Sequence, residues 1–339
     1  MSMKILFIGM GSIGQRHLQN IQSLYGKYVE CFAVRSISHN NHIKDGVATP
    51  VKDLNEHYQI GIFKTLDAAL NGHAYDAVFI TNPSSMHSET ILNCLDFKVN
   101  VFVEKPLCVS FEEAKRIKNK LKNTDSILYV GYQTHFDPVF QKAKDLIAGN
   151  ELGDVVSARF EWCTFLPDHH KYEDYREGYA ARSDLGGGVL LGLSHEIDVV
   201  LSLFGMPNTV KAIESKNKKL DIGADDTIMA LCGYSKDGQN FPLSLVLSYS
   251  QVFETRNFRI QCENGFIDCD WNNGKISVVE RNKSEIPEIF ESNMSRNEMF
   301  IAQTKGFIGA IRCKDTSIIN IDNSINVLKF IENVKKGMV

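Results

Sequence analysis

The first third of the chain alternates short apolar runs with helix-like segments. Lys4–Ile8, Tyr28–Val34, Ala77–Ile80, Val99–Val103 and Ile127–Val130 are β-branched or aromatic runs of strand length. Between them, Ile13–Leu24, Leu66–Leu70, His87–Phe97 and Phe111–Leu121 read as helices. Ser110, placed before Phe-Glu-Glu, predicts an N-cap with acidic residues in the first turn. Strands alternating with helices predict a parallel sheet covered on both faces. The polar stretch 36–59, with His39, Asn40, Asn41 and His42 in a row, predicts a loop with a short helix.

Past Tyr132 the rhythm changes. Val155–Phe165, Thr227–Tyr234, Leu243–Tyr249, Phe258–Cys262 and Lys275–Val279 follow one another as longer strands with few helices between them. That succession predicts a largely antiparallel sheet. Asn264-Gly265 and Asn272-Asn273-Gly274 suit hairpin turns because their residues tolerate positive φ. Helices near Asn297–Ile311 and Asn323–Val334 close the chain, and there is no internal repeat. The expected fold is α/β: a parallel-sheet domain over residues 1–132, then an α+β domain with a large, mostly antiparallel sheet over 133–339.

Composition agrees with two globular domains: 339 residues, 43% of them hydrophobic and 23% charged. A net charge of −4 gives no reason to expect nucleic acid or an anionic membrane as partner. No apolar run approaches the roughly 18 residues of a membrane span. The apolar N-terminal stretch is short and runs into a glycine turn, so it reads as a strand rather than a signal peptide. Eight cysteines form no Cys-x-x-Cys pair and stand beside no histidine at metal-ligand spacing. The expectation is a cytoplasmic protein with reduced thiols and no metal.

Gly9-Met10-Gly11-Ser12-Ile13-Gly14 follows a strand and opens a helix, the context in which Gly-x-Gly-x-x-Gly binds a dinucleotide. The first glycine makes the turn, the second admits the pyrophosphate, and the third lets helix and strand pack closely. The helix N-terminus supplies amides and positive dipole. About 20 residues further on, a carboxylate would select the ribose hydroxyls of NAD. This chain has Arg35 and Ser36 there, a guanidinium fork and a hydroxyl that could hold a 2′-phosphate. The alternative for Arg35 is stacking on the adenine or facing water. The cofactor expected is NAD or NADP, with NADP slightly favoured.

Val103-Glu104-Lys105-Pro106 ends a strand at the sheet edge where open α/β sheets bind ligands. A lysine there can be desolvated and its pKa lowered, which suits proton transfer. The segment 165–182 interleaves aromatic and basic groups, among them Tyr175, Arg176, Tyr179 and Arg182. Such a loop suits a polar, ring-shaped, anionic ligand, or else a subunit contact.

Taken in order, five segments resemble the glucose-fructose oxidoreductase and inositol dehydrogenase (Gfo/Idh/MocA) family over nearly the whole chain. They are the glycine motif, Thr81-Asn82-Pro83-Ser84-Ser85-Met86-His87, Glu104-Lys105-Pro106, Gly131-Tyr132-Gln133 and the run from Gly186 to Asp198. The resemblance implies a Rossmann domain and a second sheet domain that often makes the oligomer interface, here a homodimer or homotetramer. It also implies hydride transfer on a sugar-like carbinol carbon.

In that family pattern Lys105 matches the active-site lysine and Glu104 the nicotinamide-side residue. Asn82, Pro83 and His87 match the loop along the cofactor, and His195 the histidine facing the reacting carbon. Relatives commonly carry aspartate three residues before that histidine; here the position is Gly192. Asp198 either substitutes for it or is a structural carboxylate inside a helix. The substrate class implied is a sugar or sugar nucleotide of surface-polysaccharide or acidic-sugar metabolism, bound by Lys105, His195, Tyr175, Arg176 and Arg182. The alternatives are a free polyol of inositol type, or a dinucleotide-binding sensor without catalysis.

Overall fold

Six strands form the parallel sheet, five where the apolar runs predict them and β5 in addition: β1 (Met3–Ile8), β2 (Val29–Val34), β5 (Gly61–Phe63), β6 (Ala77–Ile80), β7 (Asn100–Glu104) and β8 (Leu128–Gly131). Their order is β5-β2-β1-β6-β7-β8, and every neighbouring pair is parallel. The order reverses between β1 and β6, and an open parallel sheet offers a ligand crevice beyond the strand ends at such a point. This is a computed structural model, and it describes residues 2–35, 40–236, 238–281, 283–314 and 321–338.

Four helices of the N-terminal domain are α1 (Ser12–Tyr25), α3 (Leu66–Gly72), α4 (His87–Asp96) and α5 (Phe111–Leu121). Ser110 caps α5, accepting a bond from the Glu113 amide at 3.2 Å. The described part of the polar stretch 36–59 is more ordered than its composition suggests. A small antiparallel hairpin, β3 (Asn41–Lys44) and β4 (Val47–Pro50), precedes α2 (Leu54–Tyr58). Gln15 of α1 holds that hairpin by donating to the Asn41 carbonyl at 2.9 Å and accepting from the Ile43 amide at 2.7 Å.

The second sheet has eight strands: β9 (Val155–Phe165), β10 (Thr209–Ser215), β11 (Thr227–Lys236), β12 (Gln239–Ser248), β13 (Ser250–Cys262), β14 (Gly265–Asp270), β15 (Lys275–Glu280) and β16 (Ser284–Glu291). Their order is β10-β11-β12-β9-β13-β14-β15-β16, antiparallel throughout except for the parallel pair β12·β9. Helices α6 (Pro138–Gly149), α7 (Val189–Gly192), α8 (Ser194–Phe204) and α10 (Ile321–Lys336) pack on this sheet. Ala212, Ile228, Ala230 and Cys232 are buried, whereas Ile213, Met229 and Leu231 on the opposite face are exposed. That alternation marks a sheet with one covered face and one open face.

One element crosses the expected boundary at 132/133. Helix α9 (Arg296–Cys313) returns to the first domain. Its Phe307 packs edge-on against Phe79 and Phe102, in a cluster that includes Ile5, Phe7 and Tyr129. No single helix among the described residues is long and apolar enough to cross a membrane. The bent pair formed by the turn before α7, with α7 itself, and α8 passes that test only jointly, and both α7 and α8 are largely buried in the protein core.

Candidate active site

The glycine loop turns at the switch point. Gly9 has φ +99°, and a Cβ there would press on the Thr81–Asn82 backbone at 2.7 Å. A Cβ on Gly14 would collide with the Gly9 carbonyl, whereas one on Gly11 would meet nothing within 4 Å. Two glycines therefore serve packing, and the middle one keeps space open in front of α1. Gly11 caps that helix without a side-chain bond. The first-turn amides, with Ser12 and Ile13 at their head, are left for an outside acceptor. Beside them, Asn82 Oδ1 is buried with no hydrogen-bond partner. An open approach, unclaimed amide donors and an orphaned acceptor fit a dinucleotide.

His87 locks the walls of the crevice together. Its ring nitrogens lie 2.8 Å from the Pro106 carbonyl and 2.9 Å from the Asn82 carbonyl. The loop after β6 is thereby tied to the Lys105–Pro106 segment after β7, and Pro83 lies between these contacts in sequence. Arg35, at the end of β2, donates to Asn55 Oδ1 at 2.9 Å. Ser36 lies outside the described residues.

Glu104 points inward. Its Oε1 lies 2.7 Å from His17 Nε2 in the core of the first domain, and its Oε2 accepts from the Lys105 amide at 3.2 Å. Lys105 is turned the other way, toward the second domain, where Nζ donates to the Gly192 carbonyl at 2.5 Å. Burial pulls the Lys105 amine down to about 8 against the opposing pull of Glu104.

His195 is the second residue of α8 and is almost wholly buried. Its Nδ1 lies 3.1 Å from Thr134 Oγ1, and its ring packs edge-on against Tyr132 at 5.5 Å between centroids. Burial, followed by the charge of Lys105, holds its pKa well below the ordinary histidine value, so the imidazole is neutral. Next to it, Glu196 forms a two-pronged ion pair with Arg256 at 2.5 and 3.1 Å. The Arg256 guanidinium is stacked between Trp162 and Trp271, 4.2 Å from each ring centre.

Gly192 has a specific neighbour. A Cβ there would run into the hydroxyl of Tyr249, a fully buried side chain that donates to the Gly188 carbonyl at 3.3 Å. A phenol thus takes the volume that an aspartate side chain at 192 would need. Asp198 does not fill that role. It faces the other way, with Oδ2 2.8 Å from His135 Nε2 and Oδ1 accepting from Asn323 at 2.6 Å. It is a structural carboxylate between helices.

The 165–182 loop corrects one expectation. Arg176 and Arg182 do not converge on Lys105 and His195. Each is exposed and satisfied by an aspartate two residues away, Arg176 on Asp174 at 3.1 Å and Arg182 on Asp184 at 2.6 Å. Tyr175 turns its hydroxyl to the Leu220 carbonyl at 2.9 Å. The same loop instead brings His169 and Tyr172 close. His169 packs edge-on against Tyr249, and the Tyr172 hydroxyl, 2.7 Å from His170 Nδ1, lies near the Ser12 side chain at the mouth of the glycine loop. The residues gathered around Lys105 without any local sequence signal are Thr134, Trp162, His169, Tyr249, Arg256 and Arg296. They stand far apart in the chain and meet only through sheet pairing and helix docking.

A crevice with unclaimed amides, joined to a desolvated lysine on a nearby strand end, is the arrangement of a dinucleotide-binding α/β domain with a proton-exchanging group beside it. The chain belongs to the GFO/IDH/MocA family: the model described as an oxidoreductase family with an NAD-binding Rossmann fold matches residues 3–132, and its C-terminal domain model matches 140–268. An uncharacterized oxidoreductase of Schizosaccharomyces pombe is 28% identical over 60% of this chain and 55% of its own length. The scyllo-inositol 2-dehydrogenase (NAD(+)) of Bacillus subtilis is 32% identical over 44% of this chain. The matched stretches thus span about half of these curated relatives, 55% of one and 41% of the other. Among solved structures, UDP-N-acetylglucosamine 3-dehydrogenase from Acidithiobacillus ferrooxidans superposes with a TM-score of 0.74 at 18% identity. That superposition covers 100% of this chain and 98% of the other.

Proposed function

We propose that this protein interconverts a carbinol and a carbonyl carbon on a sugar or sugar nucleotide, with Lys105 exchanging the hydroxyl proton. The carrying observation is the Lys105 amine, desolvated to a pKa of about 8 and held by the Gly192 carbonyl beside a neutral His195. Bound NAD or NADP supplies the hydride acceptor or donor. In the oxidative direction the neutral amine takes the hydroxyl proton; in the reductive direction the ammonium returns it. Thr134 Oγ1 pairs with His195 Nδ1, and Nε2 makes no hydrogen bond within the described residues. The tautomer that serves this reaction carries its proton on Nε2, with Thr134 then donating to Nδ1. From Nε2 the ring donates to the substrate oxygen, where negative charge develops.

Gly9, Gly11, Ser12, Ile13 and Gly14 would hold the dinucleotide, together with Asn82, Pro83, His87 and Glu104. Arg35 supports NADP through the 2′-phosphate. The names of the relatives add weight to a sugar or polyol hydroxyl, and free inositols belong in the same substrate panel. The open face of the second sheet suits a second copy of the chain, giving a homodimer or homotetramer.

The test is direct. Purified protein is given NAD and NADP separately, and reduced-nicotinamide absorbance is followed against polyols, sugars and sugar nucleotides. The expected result is turnover on at least one of them that disappears in Lys105→Ala while cofactor affinity stays within a few fold. Tight cofactor binding with no turnover on any of them overturns the enzymatic reading in favour of a dinucleotide sensor.

A further inference from the structure

The described arginines bordering the Lys105 cluster are committed to neighbours, with one exception. Arg256 is consumed by Glu196 and two tryptophans. Arg16 is held by Asn297 at 3.0 Å and Asp45 at 3.8 Å. The Arg296 guanidinium has neither a side-chain hydrogen bond nor a carboxylate within ion-pair distance among the described residues; it stands 5.8 Å from the centre of the Phe300 ring, with Glu104 and Glu254 farther off. Its position is nevertheless fixed. Ser295 and Glu298 form a capping box around it. Asn297 is bonded to Arg16 and Asn20 of α1, which docks the first turn of α9 on the dinucleotide helix.

Arg296 therefore stands where the two domains meet, solvent-accessible, among Arg16, Arg256, Lys105, His169, His170 and His195. Its charge helps lower the pKa of the last four. Three carboxylates lie nearby. Glu196 is spent on Arg256, Glu104 on His17, and Glu254 accepts from Trp162 at 2.9 Å. Holding an unpaired guanidinium beside like charges costs energy that an oxyanion would return.

We propose that Arg296 receives a carboxylate or phosphoryl oxyanion in the interdomain cleft, and that this makes the substrate an acidic or phosphorylated sugar. This rests on the active-site reading above. The oxyanion has two sources, the substrate or the cofactor pyrophosphate, and they separate by measurement.

The experiment uses cofactor-loaded full-length protein, wild type, Arg296→Gln and Arg296→Lys. Calorimetric titrations with UDP-glucuronate, glucuronate and neutral myo-inositol are run at low and high salt, together with cofactor titrations of the unloaded forms. The expected result is a tenfold or greater loss of affinity for an acidic probe in Arg296→Gln. Partial retention is expected in Arg296→Lys, with cofactor affinity unchanged. Weakened cofactor binding at unchanged probe affinity assigns the oxyanion to the pyrophosphate and overturns the substrate assignment. Unchanged binding of both, or wild-type protein that prefers neutral to acidic probes, overturns the proposal. Because these are binding measurements, absence of turnover strikes only the catalytic reading.

Discussion

Lys105 shows how one side chain's surroundings set its chemistry. Removing it is expected to lower kcat about 10²–10⁴-fold, the span general acid–base catalysis commonly contributes. The oxidative rate should climb as pH rises through about 8, where the amine loses its proton, and the reductive rate should fall over the same range. Profiles measured in both directions check this, and coincident profiles would contradict it. The lowered pKa also affects stability. Between about 8 and the ordinary lysine value of 10.5 the unfolded chain binds this proton more than the folded one, so stability from this group grows as pH rises. Lys105→Met is thus expected to melt higher than wild type at pH 7, with the advantage shrinking above pH 8. At Gly192 the expectation is reciprocal. Gly192→Ala forces a methyl onto the Tyr249 hydroxyl and should cost roughly 1–3 kcal/mol. Adding Tyr249→Phe removes the obstructing oxygen and should recover much of that loss in denaturant titration.

Elements reveal why some of this was legible in sequence and some was not. Strand–helix alternation, the glycine loop and the Ser110 cap are local signals, and the structure places them where the residues say. The β3–β4 hairpin lies in a polar stretch without period and is held from outside by Gln15. Strand β5 has three residues, too few for a pattern. Helix α6 does carry a start signal, Asp137 as cap followed by Pro138, but it lies where the pattern changes from the first domain to the second. Edge strand β16 is broken up by Pro287 and charged residues, as edges often are. Within the glycine loop, two glycines predict different failures. Gly14→Ala should destabilise the fold through the Gly9 carbonyl. Gly11→Val should leave melting of the unloaded protein nearly unchanged while abolishing cofactor binding, read by calorimetry.

At the scale of the whole molecule, Lys105 and His195 stand out in the sequence because each sits in a short run of its own, and the fold brings the two side chains within electrostatic reach of each other. Arg296 and Tyr249 do not, since nothing in residues 249 or 296 announces that the bend between β12 and β13, and α9, carry them to the surroundings of residue 105. The same long-range architecture leaves Ile213, Met229 and Leu231 on one open sheet face, with Ile213 and Met229 directly opposed. Two charges placed there, Met229→Glu with Leu231→Glu, should shift the protein to a smaller species in sedimentation while its monomer fold persists. An unchanged sedimentation coefficient would mean that this face is not where copies meet.

The bond from Lys105 to the Gly192 carbonyl has a genetic corollary. Its acceptor is main chain, so no codon change at 192 deletes the oxygen, and an alanine scan would pass over the contact that aims the lysine. Sequence drift at this position is governed by the room Tyr249 leaves, and the aim of the amine is inherited through the path of the backbone. Replacing the peptide bond after Gly192 by an ester, which weakens that carbonyl as an acceptor, would make the hidden contact visible as a shift in the pH at which the rate turns.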